Sequence, residues 1–222
     1  MCDKRLVIWL WLLVVLSGLT GCRLWTVRPI GWKEKKTAVA TQAFDAAGYV
    51  DSIWASKVAP AVTGKAVELA TLLAALEADA DAAKTLYGVR EGDGPVHFVV
   101  KGEGVVARVD SASPHRTLAI RLSKYTGKTE VSMQIGPVFR GTALRDAVGF
   151  IRFNEFVNQL QYAEVSTKLH DRVFATVVPA LDAAAAPGKS LSFYGVFTLN
   201  ERGTIMLTPV KLAVGGKEGG KD

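Results

Sequence analysis

The sequence predicts an α+β protein: a small N-terminal helical bundle, then an OB-like antiparallel β-barrel with one helix, all preceded by a lipoprotein signal peptide. Three observations predict it. An apolar leader ends in Leu19-Thr20-Gly21-Cys22. Beyond it, apolar residues recur at three- and four-residue steps as far as Tyr87, then at two-residue steps after Gly92-Asp93-Gly94-Pro95. The later part runs strands, a helix and a two-strand hairpin, the chain order of an OB-like barrel. A plain antiparallel sheet under one covering helix is the alternative.

Residues 1–21 read as the signal peptide. Lys4 and Arg5 precede an apolar run from Leu6 to Leu16, about half the 20 or so residues a membrane-crossing helix needs. Small side chains at Thr20 and Gly21 suit cleavage just before Cys22, whose thiol would carry fatty acyl chains of the palmitate kind and become the new N-terminus. Each buried methylene contributes about 0.8 kcal/mol, so two or three chains anchor where one does not. The alternative is an uncleaved anchor, helped by Trp9 and Trp11. Arg23 follows the cysteine instead of an aspartate, which leaves both inner and outer membranes open as destinations on the periplasmic side. Cys2 departs with the leader and Cys22 is consumed by lipid, so the mature chain has no disulfide to draw on.

Residues 22–40 form a tether with Pro29, Gly31 and the basic set Lys33, Lys35 and Lys36. The whole chain of 222 residues carries a formal charge of +6; losing Asp3, Lys4 and Arg5 leaves it positive. A basic surface beside anionic headgroups favours the membrane. The charges are scattered and the compartment is wrong for nucleic acid, so nucleic acid is not an expected partner.

Residues 41–91 read as the helical subdomain. Phe44, Ala47, Val50, Trp54 and Val58 keep helical spacing until Pro60 stops them. Val67, Ala70, Leu73 and Leu76 line a second helix, and Asp79 caps a third that Gly88 ends. Trp54 reads as a core plug of the bundle, with a stacking platform as the alternative. Asp51, three residues earlier, is expected to need a partner if buried, with an arginine of the Gly136–Asp146 loop as candidate.

Residues 92–214 read as the barrel, with strands at Val96–Lys101, Gly104–Asp110, Thr117–Leu122 and Glu130–Ile135 and a turn at Gly102. A loop-rich stretch from Gly136 to about Ala163 precedes a helix from Ser166 to about Leu181. Strands at Ser190–Leu199 and Thr204–Val214 close the fold around a hairpin at Asn200–Gly203. Residues 215–222, rich in glycine, read as a loose tail.

Catalytic signatures are missing. His97, His115 and His170 lie far apart, without metal-ligand spacing. Val62-Thr63-Gly64-Lys65-Ala66 lacks the first glycine and the hydroxyl of a phosphate loop, and no serine sits in a nucleophile elbow. No enzyme activity, cofactor or metal is expected. What stands out is the Gly136–Asp146 loop, with Arg140, Thr142, Arg145 and Asp146, and the amides Asn154, Asn158 and Gln159 soon after. As a binding cleft, the arginines would fork onto a carboxylate or phosphate and the amides would orient it. As a structural corner, Asp146 and Asn154 would cap helices and the arginines would form salt bridges.

The stretches Arg140-Gly141-Thr142-Ala143-Leu144-Arg145-Asp146 and Asn158-Gln159, together with Tyr49-Val50-Asp51-Ser52-Ile53-Trp54, Ile135-Gly136-Pro137 and Leu207-Thr208-Pro209-Val210, resemble the DUF2291 family of predicted periplasmic lipoproteins, from about Phe44 to Leu212. The resemblance implies a small helical part beside an OB-like barrel. Family members are commonly encoded beside sugar-type ABC importers, which implies a non-enzymatic accessory of uptake that meets a permease or a periplasmic binding protein. His170 departs from the asparagine expected there. A small-molecule binder is the other hypothesis, with Arg140, Arg145 and Asn158 at the barrel mouth holding an anionic or sugar ligand.

Overall fold

The computed structural model of the chain describes residues 44–199 and 205–217. The leader, Cys22, the tether and the hairpin at Asn200–Gly203 lie outside the described residues. Helix α1 (Ala46–Ile53) starts where the Asp45 carboxylate accepts from the Gly48 amide at 2.9 Å. It does not stop before Pro60. A π-helical turn, Trp54–Val58, leads directly into α2 (Ala59–Lys65), with the proline in the first turn of α2. In that widened turn the Ala59 amide bonds back to the Trp54 carbonyl, which opens the helix where a proline ring would otherwise strike the preceding turn.

A two-residue strand β1 (Val67–Glu68) follows, then α3 (Leu69–Ala78) and α4 (Ala80–Tyr87). Asp79 caps α4 by accepting from the amides of Asp81 and Ala82. Gly88 ends that helix with extended backbone and opens β2 (Gly88–Val89).

The sheet is built on β3 (His97–Asp110), a single strand of 14 residues. The turn expected at Gly102 is absent. The Phe193 ring lies where a side chain at 102 would go, 2.9 Å from an added Cβ, so glycine serves close packing here. With β4 (Thr117–Leu122), β5 (Val131–Gln134), β6 (Lys189–Thr198) and β7 (Ile205–Lys217), the pairings run β3–β4–β5–β7–β6 and return to β3. All are antiparallel except β5–β7. The long β3 makes this circuit feasible: residues 97–105 pair with β6 and 104–110 with β4, across a bulge between Val106 and Arg108. Strand β7 also reaches Lys217, three residues into the stretch read as tail.

Between β5 and β6 the chain forms α5 (Ala143–Ala147), a 3₁₀ turn at Phe153–Glu155, and α6 (Gln159–Thr176). Helix α6 begins seven residues before the expected Ser166, because Asn158 caps it through the Gln161 amide at 3.0 Å. It ends ahead of Pro179, which sits in a second 3₁₀ turn. Helices α2 and α3 pack on β3, α5 packs on β3 and β6, and α1 lies along α6. This cover explains why His97, Phe98, Val99 and Val100 are all buried despite the alternation of a strand: one face looks into the barrel and the other under the helices. Val50, Trp54, Val58, Leu69 and Leu72 share one apolar core with Phe98, Leu118, Met133, Phe193 and Leu207.

Candidate functional site

The loop after β5 is pinned at both ends. Gly136 crosses the backbone of residues 114–116 so closely that a Cβ there would come 2.2 Å from the Pro114 carbonyl oxygen. The Ile135 amide bonds the Arg116 carbonyl at 3.0 Å, and His115 Nδ1 donates to the Val138 carbonyl at 3.0 Å. Buried Gln134 holds the other end. Its Oε1 accepts from the Arg140 amide at 2.6 Å, while Nε2 donates to the Arg140 carbonyl at 3.2 Å and to Thr208 Oγ1 at 3.0 Å. A glutamine at an inward strand position was the available sequence signal for this clamp.

The two arginines of the loop have opposite fates. Arg140, backbone-clamped, presents an exposed side chain. Arg145, on α5, is buried. Its Nε donates to Asp146 Oδ1 at 2.7 Å and its Nη1 to the Tyr162 carbonyl at 3.1 Å, and its guanidinium lies 3.6 Å from the centre of the Tyr162 ring. Asp146 further accepts from Thr142 Oγ1 at 2.5 Å and from the Tyr162 hydroxyl at 3.2 Å. Burial pushes the Asp146 carboxyl up, but the hydrogen bonds from Arg145 and Thr142 outweigh it and hold the group below its ordinary value.

His97 joins this network from β3. Nδ1 lies 2.9 Å from Thr198 Oγ1, and Nε2 lies 3.9 Å from Asp146 Oδ2. Burial lowers its pKa, with Asp146 opposing and Arg145 adding to the effect, so the ring is neutral at pH 7 and the contact is no ion pair. The order hydroxyl, imidazole, carboxylate has the look of a proton relay. Yet Asp146 stands beyond hydrogen-bond reach of Nε2 and is already matched by Arg145, so the group serves as a clasp between β3, β6, α5 and α6.

His170 stacks on Phe139, rings 5.3 Å apart and 18° from parallel. Its Nε2 and the Ser166 hydroxyl are buried without a hydrogen-bond partner among the described residues, and burial lowers its pKa to about 4. Of the amides, Asn158 is the cap of α6, Gln159 is the exposed first residue of that helix, and Asn154 is exposed in the 3₁₀ turn, where it caps nothing. Asp51 bonds Arg172 of α6 at 2.8 Å, not an arginine of the Gly136–Asp146 loop, and both groups are accessible.

The pinning leaves a cleft of about 140 Å³ lined by Asp110, His115, Arg116, Gln134 and Arg140. Among the described residues, neither Arg116 nor Arg140 has an ion-pair partner, whereas Asp110 accepts from the Ala112 amide. Arg116, on the neighbouring connection, was not singled out in the sequence; an arginine next to a turn carries no signal of its own.

The model of the family described as "Predicted periplasmic lipoprotein (DUF2291)" matches residues 12–213. No curated protein matches the chain. Among solved structures, an OB-fold protein from Thermotoga maritima, determined by crystallography at 1.90 Å, is similar with a TM-score of 0.64 and 17% identity. The match covers 78% of this chain and 99% of that one. At that identity the likeness is one of fold, and the fold is OB-like.

Proposed function

Because the chain belongs to the DUF2291 family of predicted periplasmic lipoproteins, we propose that it is a lipid-anchored, non-enzymatic accessory of a sugar-type ABC import system. Cys22 carries the anchor. The Arg116–Arg140 cleft grips a carboxylate of the permease or of the periplasmic binding protein. The observation that carries this reading is the pair of arginines, without carboxylate partners among the described residues, lining one cleft whose loop is clamped by Gln134. The clamp on the Arg140 backbone removes the loop-ordering part of the binding cost, leaving the side chain to be ordered, and its forked donors suit recognition of a carboxylate.

The size of the cleft favours a side chain over a free ligand. Small-molecule sites run from about 300 to 1,000 Å³, and this one offers about 140 Å³. The ligand set first drawn for a free sugar or anion also loses Arg145 and Asn158, which are committed to internal bonds.

The test is capture of the permease and of the binding protein encoded beside this chain, by wild type and by an Arg116→Glu/Arg140→Glu variant. Capture by wild type and a loss of about tenfold or more in the variant supports the reading. Equal capture by both, or capture by neither, overturns it.

A further inference from the structure

Six large apolar side chains are exposed among the described residues, and three of them fall within eight positions: Phe153 at 50%, Val157 at 77% and Leu160 at 81%. Single exposed apolar residues are ordinary; three in one short stretch, joined through Phe156, Tyr162 and Gln161, mark a surface that meets something. This set stands on a firm base. Phe156 packs edge-on against Phe44 and Tyr49 at 5.5 and 5.7 Å, and Tyr162 lies 5.5 Å from Phe156 and 5.6 Å from Phe153. The Val157 amide donates to Gln161 Oε1 at 3.1 Å, fixing the ridge to the start of α6.

The position of the ridge along the chain names its occupant. Phe44, whose ring lies on Phe156, is the residue at which the segment from Cys22 enters the fold. That segment, Cys22–Ala43, has 22 residues, five of them basic (Arg23, Arg28, Lys33, Lys35, Lys36) against one acidic, Glu34. Fully extended it spans about 70 Å, so the anchor permits the fold to leave the membrane but does not force it to. Basic residues near anionic headgroups draw the entry point inward, as do Trp25 and Trp32, whose rings favour the interface. Tethering also keeps the ridge at a high effective concentration of lipid.

We propose that the Phe153–Val157–Leu160 ridge inserts into the headgroup and upper acyl layer of the anchoring membrane, so that the fold sits on the bilayer and is not merely leashed to it. The flanking polar residues Asn154, Asn158 and Gln159 suit the headgroup layer, where amides stay hydrogen-bonded. The proposal rests on the lipid anchor at Cys22.

The experiment uses the lipidated mature chain in vesicles of phosphatidylethanolamine and phosphatidylglycerol. An environment-sensitive fluorophore is placed on Val157→Cys, or at Ser111→Cys as the reference site; lipidated Cys22 leaves no other thiol to label. Both positions are exposed, so labelling leaves the fold intact. The expected result is co-flotation of both forms, with brominated acyl chains quenching the Val157 probe at least about threefold more than the Ser111 probe. Co-flotation with equal, weak quenching at both sites overturns the ridge while leaving the anchor standing. A Val157 probe shielded from aqueous iodide yet untouched by brominated lipid means a protein occupant, and also overturns it. Chains that fail to float remove the anchor, and the proposal with it.

Discussion

Arg140 and Arg145 are five positions apart in one loop, and their surroundings divide them completely. Removing Arg145 would leave the Asp146 carboxylate largely buried with only two hydroxyl donors, the Thr142 and Tyr162 groups. An uncompensated buried charge costs about 3–5 kcal/mol. Arg145→Ala is therefore expected to lower unfolding free energy by about 3 kcal/mol, read from urea denaturation, while Arg140→Ala stays within about 0.5 kcal/mol. Equal effects would contradict the division. A smaller change is expected at Asp51, whose pair with Arg172 is accessible: Asp51→Ala should cost no more than about 1 kcal/mol. The sequence placed two arginines and an aspartate in one loop with amides soon after it, and left a binding cleft and a structural corner both open. It could not tell the outward arginine from the inward one. That choice depends on Gln134 and Tyr162, which come from a strand and a helix on either side, and on the packing of α5 against β3 and β6.

Helix α6 carries a pH response. His170 has a folded pKa of about 4 against an ordinary 6.5, with Asp171 and Arg145 the charged groups acting on it. The unfolded chain takes a proton that the folded one refuses, so stability is full above about pH 7 and falls as pH drops from about 6.5 to about 4. It then levels off. The loss is at most about 3 kcal/mol. His170→Asn, which restores the asparagine expected from the family resemblance, should remove that slope. Urea midpoints at pH 4.5 and 7.5 check this, and an unchanged difference between the two would exclude His170 as the source. His97, also lowered, titrates in the same direction and adds to the slope, as does Asp146 at the acid end. The same helix shows where local sequence signals misled. Gln159-Leu160-Gln161 starts α6 with two glutamines and a leucine that faces outward, so the inward apolar periodicity becomes visible only near Val165. Gly102 imitated a turn because glycine is the common turn residue, but it lies in mid-strand to admit the Phe193 ring. Pro60 imitated a stop because nothing local announces a π-helical turn. The strands Thr117–Leu122 and Ser190–Leu199, and the cap at Asp79, were legible because a local pattern announces each: a short run of strand-forming residues between turn residues, or an aspartate just before a helix.

At the scale of the molecule, the helices and the sheet depend on each other. Strand β4 pairs with β3 only from Gly104 onward. On that side the stretch His97–Lys101 is bonded by β1 and β2, the short strands that flank α3 and α4. Helices α2 and α3 cover the outer face of the same stretch, and Trp54, Val58 and Leu69 belong to the core that holds Phe98 and Phe193. A sheet without residues 46–89 would expose both an apolar face and an open edge. Unfolding of residues 44–217 is therefore expected to be a single cooperative transition. Trp54 is the one tryptophan in this range, so a Trp25→Phe/Trp32→Phe mature chain reports the helical part by its fluorescence, while circular dichroism reports the whole. The two urea curves should coincide. Phe193→Ala, a truncation deep in the sheet, should shift both by the same amount, about 3–5 kcal/mol. A Trp54 signal that stayed in place while the dichroism moved would mean that the helices fold on their own, and the dependence of β3 on them would then have to be abandoned.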